Sequence, residues 1–320
     1  VTEAIGGYFE LELQQGEHYH KDAILLNTAR NCFEYILLAR KYNKVYIPYY
    51  TCEVMLQPLK RQGIAYEFYS INEELEPVET KYLLPDEAFL YTNYFGIKQC
   101  CVEKLAIIYG SQLIVDNAQA FFSPRIASID TFYSPRKFFG VPDGGYLYTD
   151  CILEQNFPQD KSYGRMQHLL QRIDEGAESG YPFFRDNDDS LDNNPIRKMS
   201  KLTQRLLMSL DYKKIEKYRC LNYDILEEKI GSSNLLKIKK RSNDVPMVYP
   251  YLSNKSFLKN NLVLGKVYVA TYWKNVFEWV EKTNVEYFFS KNLCPIPVDQ
   301  RYCDIDMKKI IEMIQIDTQL

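Results

Sequence analysis

Histidine is scarce in this 320-residue chain, with only His18, His20 and His168. The eight cysteines (Cys32, Cys52, Cys100, Cys101, Cys151, Cys220, Cys294 and Cys303) include no Cys-x-x-Cys pair. Both shortages argue against a Cys/His zinc site, and no metal is expected. An excess of charge is also missing. Lys and Arg number 39 against 42 Asp and Glu, a net charge of -3 with a pI near 5.8. Nothing therefore pulls the chain as a whole toward nucleic acid or an anionic membrane. No apolar run approaches the length that spans a bilayer, and the N-terminus carries no signal-peptide pattern. A cytoplasmic location with reduced, packed thiols is the expectation.

The balance that is present, 46% hydrophobic and 25% charged residues, is that of a soluble globular protein. The length is natural for two domains. Tyrosine is abundant at 27 residues, and many of these rings are expected on half-buried surfaces with the hydroxyl in water.

The first two thirds alternate strand and helix signals. Strands are expected at 23–26, 44–48, 65–69, 88–93, 112–116, 129–133 and 145–149. Helices are expected at 30–42, at 52–62 with a stop at Gly63, and at 102–109 with a stop at Gly110. This order predicts an α/β fold with a mostly parallel central sheet and right-handed crossovers. Beyond residue 150 the pattern changes. Residues 160–175 read as helical, 185–194 as a polar acidic loop, and 198–230 as one or two long helices. Residues 245–320 read as a smaller α+β unit with a strand near 246–252 and helices near 273–282 and 304–315. The expected division is a large α/β domain over 1–209 and a small C-terminal domain over 210–320.

Ligands of open α/β sheets bind beyond the carboxyl ends of the strands, and three such ends carry polar residues. At Asn27–Thr28–Ala29–Arg30–Asn31, Thr28 is placed to cap a helix whose first-turn amides would hold a phosphate. Asp116 follows three apolar residues at another strand end, where a carboxylate can keep a ring nitrogen protonated. Lys137 stands among aromatics in Phe132–Tyr133–Ser134–Pro135–Arg136–Lys137–Phe138–Phe139, where lost solvation would favour the neutral amine that forms a Schiff base. Ser134 and Arg136 are candidate phosphate contacts, and Gly144–Gly145 would permit a tight turn. Each feature has a plainer reading alone: a helix cap, an Asp capping the next segment, a solvated lysine. Together, in this order, they suit pyridoxal 5'-phosphate (PLP), whose phosphate, ring nitrogen and aldehyde need three separate anchors.

At these residues the sequence resembles the DegT-like family of sugar aminotransferases, within fold type I of the PLP enzymes. The likeness runs from Ile5–Phe9 through Asn27–Arg30, Ile47–Cys52, Asn93–Gly96, Asp116–Gln119 and Lys137…Asp143–Gly144–Gly145 to Pro295–Tyr302. The resemblance implies Lys137 as the Schiff-base lysine and Asp116 as the carboxylate on the pyridine nitrogen. It also implies Gln119 beside the ring oxygen, and Thr28, Ala29 and Arg30 as the phosphate-binding helix start, with Ser134 assisting. An aromatic from Tyr49–Tyr50, with Tyr50 taken as the candidate, would cover the ring. The chain departs from the family in having Phe132 where Ser is frequent, Ala29 where Gly is frequent and Asp143 where Glu is usual. The implied activity is amino transfer from an amino acid, glutamate by resemblance, to a keto sugar linked to a nucleotide, carried out by a homodimer on small-molecule substrates. The alternatives are a PLP-dependent lyase or dehydratase acting on a sugar, and a catalytically silent fold relative serving as a binding subunit. Trp273 and Trp279 read as core and His18 and His20 as surface residues, while Arg301 is placed either to meet a substrate phosphate or to pair with Asp299 or Asp304.

Overall fold

The computed structural model describes residues 5–255 and 257–319. Short aromatic and β-branched runs form strands, and the amphipathic segments between them return the chain across the sheet. The elements are β1 (Ile24–Leu26), α1 (Ala29–Arg40), β2 (Lys44–Pro48), α2 (Leu56–Gln62), β3 (Ala65–Tyr69), β4 (Glu87–Thr92), α3 (Gln99–Tyr109), β5 (Leu113–Asn117), β6 (Asp130–Tyr133) and β7 (Gly145–Tyr148). They continue with α4 (Gln167–Asp174), α5 (Ala177–Ser190), α6 (Lys201–Met208), α7 (Tyr212–Ile230), β8 (Val248–Leu252), α8 (Leu258–Leu264), α9 (Val276–Trp279), α10 (Val285–Asn292), β9 (Leu293–Pro297) and α11 (Asp304–Gln319).

The first seven strands form one sheet in the order β1-β7-β6-β5-β4-β2-β3. Neighbours from β3 to β6 pair in parallel, and β7 alone runs against its two neighbours. Period-two alternation sends Ala88 and Leu90 to one face and Phe89 and Tyr91 to the other. The first face packs under α1 and α2. The second joins α3 in a core that also takes in Met247, Leu252 and Trp273 from the C-terminal third. A third core lies between α7, α8, α11 and the antiparallel pair β8–β9.

Three expectations change. Residues 185–190 belong to α5. This helix packs so closely on α4 that a Cβ on Gly180 would lie 2.8 Å from the His168 carbonyl, so tertiary packing overrides the acidic composition. The helix expected near 273–282 shrinks to α9. Several tyrosines are fully buried, and their hydroxyls donate to backbone carbonyls: Tyr69 to Leu90 at 2.8 Å, Tyr91 to Leu75 at 2.9 Å and Tyr133 to Ser123 at 3.1 Å. The large sheet thus keeps these rings dry and satisfies the hydroxyls internally. None of the described helices is long and apolar enough to cross a membrane.

Candidate active site

The start of α1 is built first by its cap. Thr28 is extended, and its Oγ1 accepts from Asn31 N at 3.0 Å and donates to Asn31 Oδ1 at 2.6 Å. The Thr28 hydroxyl is therefore committed to the helix, and what the turn can offer an anion is its first-turn backbone and dipole. β7 passes directly beneath. A Cβ on Gly145 would lie 2.6 Å from the Thr28 carbonyl and 2.7 Å from Cys32 Sγ, and Gly144 holds φ +123°. Only glycine allows this approach. Asp143, fully buried, anchors the same turn by accepting from Ser200 N at 2.8 Å, Ser200 Oγ at 2.7 Å and the Thr203 hydroxyl.

Asp116 is the next-to-last residue of β5, opposite Thr92 of β4 and Phe132 of β6. It is 5% exposed, and its Oδ1 accepts from Ala118 N at 2.8 Å, the capping turn of the plainer reading. Burial raises its pKa above the usual value, opposed by the Ala118 amide, the positive charge of Lys137 and the neighbouring Thr92 hydroxyl. Asp116 and Lys137 therefore face one region and feel each other's charge.

Lys137 corrects the expectation of desolvation, since its side chain is exposed. The short turn Pro135–Lys137 sends Phe138 and Phe139 inward against Phe121 and Phe122, which leaves the lysine on the open side. Its amine has no hydrogen bond or ion pair among the described residues. Ser134 is buried, and its hydroxyl is likewise without a partner among them.

Gln119 offers a sharper signal. Its Oε1 accepts from Phe95 N at 3.0 Å, while its Nε2 is buried with no acceptor among the described residues. A buried donor left unpaired costs about 1–3 kcal/mol, so this amide is poised for a ligand oxygen. Arg30 points elsewhere, its Nη1 donating to Gln57 Oε1 at 2.8 Å, the Leu191 carbonyl at 3.1 Å and Asp192 at 2.7 Å. Arg136 pairs with Asp188 at 2.8 Å. Ala29 opens α1 at the turn.

Tyr50 is packed into the core rather than open to the crevice. It is 0% exposed and enclosed by Tyr94, Trp273 and Phe289, with ring centroids 5.6, 5.0 and 5.7 Å away. Tyr49 is stacked on Phe68 at 4.7 Å. The side chain that meets Lys137 from β2's end is Cys52. Burial pushes this thiol up, and the charges of Lys137 and Arg30 pull it down. Beside it stands Tyr272, whose hydroxyl burial raises to about 12. Sequence reasoning passed over both residues. Cys52 stood at a strand end like the other three, but Tyr272 arrives from the C-terminal third and carried no local signal. Two further readings resolve. Arg301 pairs with Asp299 at 2.7 and 2.8 Å. His20 is 5% exposed rather than a surface residue, because its Nε2 bonds the Phe121 carbonyl at 2.9 Å inside an aromatic cluster.

No family model and no curated protein matches the chain. Solved structures do. A DegT DnrJ EryC1 StrS aminotransferase from Brucella abortus is 13% identical with a TM-score of 0.58, covering 92% of this chain and 85% of its own. The sugar aminotransferase CalS13 from Micromonospora echinospora is 11% identical with a TM-score of 0.59, covering 92% and 86%. NtdA from Bacillus subtilis, solved with bound cofactor PMP, is 13% identical with a TM-score of 0.65, covering 93% and 73%. The likeness establishes the fold alone, one shared with these structures: a mostly parallel central sheet, flanking helices and a smaller C-terminal α+β part.

Proposed function

We propose that the chain is a PLP-dependent aminotransferase that moves an amino group from an amino acid, glutamate in the first instance, to a keto sugar carried on a nucleotide. The observation that carries this reading is that a buried carboxylate, Asp116, and a free amine, Lys137, lie at or just beyond the ends of adjacent strands and feel each other's charge. Bound there, PLP supplies an aldehyde that condenses with amines and a cationic ring that withdraws electrons from the carbon beside the nitrogen.

The residues fit that group. Asp116 is a desolvated carboxylate whose charge is costly until a cation faces it, so it would hold the proton on the pyridine nitrogen. Gln119 Nε2 would donate to the ring oxygen, which is the partner it lacks. The α1 start at Thr28, Ala29 and Arg30, with the unpartnered Ser134 hydroxyl, would take the phosphate. Lys137 Nζ would take the proton from the donor's Cα and deliver it at the cofactor's C4', and would make the same transfer in reverse in the second half-reaction. Cys52 and Tyr272, in place of Tyr50, would wall the ring side of the site. The exposure of Lys137 leaves one side open, which supports a homodimer in which a second copy closes the site. The division at 209/210 and a cytoplasmic setting belong to the same proposal.

The test is a visible spectrum of purified protein incubated with PLP, followed by borohydride reduction and peptide mapping. The adduct should map to Lys137. Added glutamate should yield 2-oxoglutarate with loss of the absorbance. An adduct at another lysine refutes the assignment, and an adduct at Lys137 without 2-oxoglutarate refutes amino transfer from glutamate.

A further inference from the structure

Arg219 lies in α7 with 1% of its surface exposed and no carboxylate within ion-pair distance among the described residues. Asp299 is near but committed to Arg301. Burying a guanidinium without a counter-ion is expensive, and an apolar side chain would join two structural units at lower cost. What Arg219 does instead is donate to three backbone carbonyls: Phe138 at 3.2 Å, Met247 at 3.0 Å and Pro246 at 3.3 Å.

Two of these carbonyls lead to the site. Phe138 directly follows Lys137. Its carbonyl also accepts from Gln300 Nε2 at 3.0 Å, and the guanidinium sits 4.5 Å above its ring. Met247 N donates to the Phe95 carbonyl at 2.8 Å, and Phe95 N donates to Gln119 Oε1 at 3.0 Å. Gly96 presses on the same strand entry, since a Cβ there would lie 2.6 Å from the Val245 carbonyl. One guanidinium is thus tied by one peptide to the amine and by a relay of three hydrogen bonds to the amide with the free donor.

We propose that Arg219 is a positioning residue that sets the placement of Lys137 and of Gln119 together, with Gln300 as its second hand on the Phe138 carbonyl. The inference rests on the reading of Lys137 and Gln119 as the residues that meet PLP. Misplacing a reacting group by an ångström costs on the order of 100-fold.

The experiment uses the full chain incubated with PLP, in wild type, Arg219→Met, Arg219→Lys and Gln300→Leu. It measures the rate of borohydride-trapped adduct at Lys137, the pH midpoint of the visible absorbance and the thermal midpoint. Arg219→Met should slow adduct formation roughly 10- to 100-fold and move the absorbance midpoint. Gln300→Leu should do so to a smaller degree, and Arg219→Lys should recover part of the rate. Should Arg219→Met fail to fold, the other two variants decide by the same readouts. Variants that lose thermal stability yet keep the wild-type trapping rate and absorbance midpoint would make Arg219 a plain structural tie and overturn the inference alone. A wild type that forms no adduct at Lys137 overturns the functional reading, and this inference with it.

Discussion

Replacing Asp116 by Asn separates what the carboxylate costs the fold from what it contributes to the site. The substitution keeps shape and keeps an oxygen to accept from Ala118 N, which lies 2.8 Å from Oδ1. It removes only the charge. Burial raises the Asp116 pKa in the folded chain, so the ionised form is disfavoured there relative to the unfolded chain. That penalty is absent at low pH, where both states hold the proton, and appears as pH rises through the ordinary value of 3.8 and then the folded value. At pH 7 the cofactor-free Asn variant should therefore be at least as stable as wild type. With a cationic ring bound, the sign reverses. Removing one partner of a buried, hydrogen-bonded charge pair costs about 3–5 kcal/mol, which is roughly 150- to 5,000-fold in rate if the loss falls on the transition state. The assays are thermal unfolding without PLP and steady-state turnover with glutamate. A variant that keeps wild-type turnover would remove Asp116 from the cation's side. A cofactor-free variant clearly less stable than wild type would show that the carboxylate serves the fold, through Ala118, more than the site.

Two other expectations follow from buried or paired charge. Burial holds the His20 imidazole down at about 4 against an ordinary 6.5, so the unfolded chain takes the proton first; stability should be full above pH 6.5 and fall by up to about 3 kcal/mol as pH drops to about 4. Urea titrations of His20→Gln should lack this slope, and parallel curves for variant and wild type would refute it. Arg136 and Arg30, both bordering the phosphate end of the proposed site, are neutralised by half-exposed Asp188 and Asp192 at 2.8 and 2.7 Å. Asp188→Asn and Asp192→Asn should each tighten PLP in a spectroscopic titration by up to about fivefold, the ~1 kcal/mol of a partly exposed pair; unchanged or weaker affinity would show that these acids do not compete with the phosphate.

Much of the sheet and its polar strand ends was legible in the sequence, because both are local. Period-two alternation and the Gly63 and Gly110 stops placed the strands and helices to within a few residues. Asn27–Arg30, Asp116 and Lys137 stood out because polar residues directly follow apolar strands. What could not be read was direction. The run that holds Lys137 is aromatic, yet its rings turn into the core and leave the lysine outside, a choice made by Phe121 and Phe122 from another segment. His20 looked solvated for the same reason, since the cluster that buries it comes from residues 121–148.

The deeper limit concerns the C-terminal third. Arg219 sits in a helix of mixed polar and apolar residues, where an arginine reads as a solvated face. Its role depends on the carbonyls of Phe138, Pro246 and Met247, and carbonyls have no sequence signature. Tyr272 and Gln300 are silent in the same way. The sheet brings polar side chains to one crevice by local rules alone. Holding Lys137 and Gln119 at a fixed separation, however, needs atoms more than 80 residues away from Lys137 to bond to backbone. A site assembled this way should respond to changes in α7 and in residues 245–247 before any residue lining the crevice is altered, so its geometry is a property of the packed whole rather than of the strand ends that announce it.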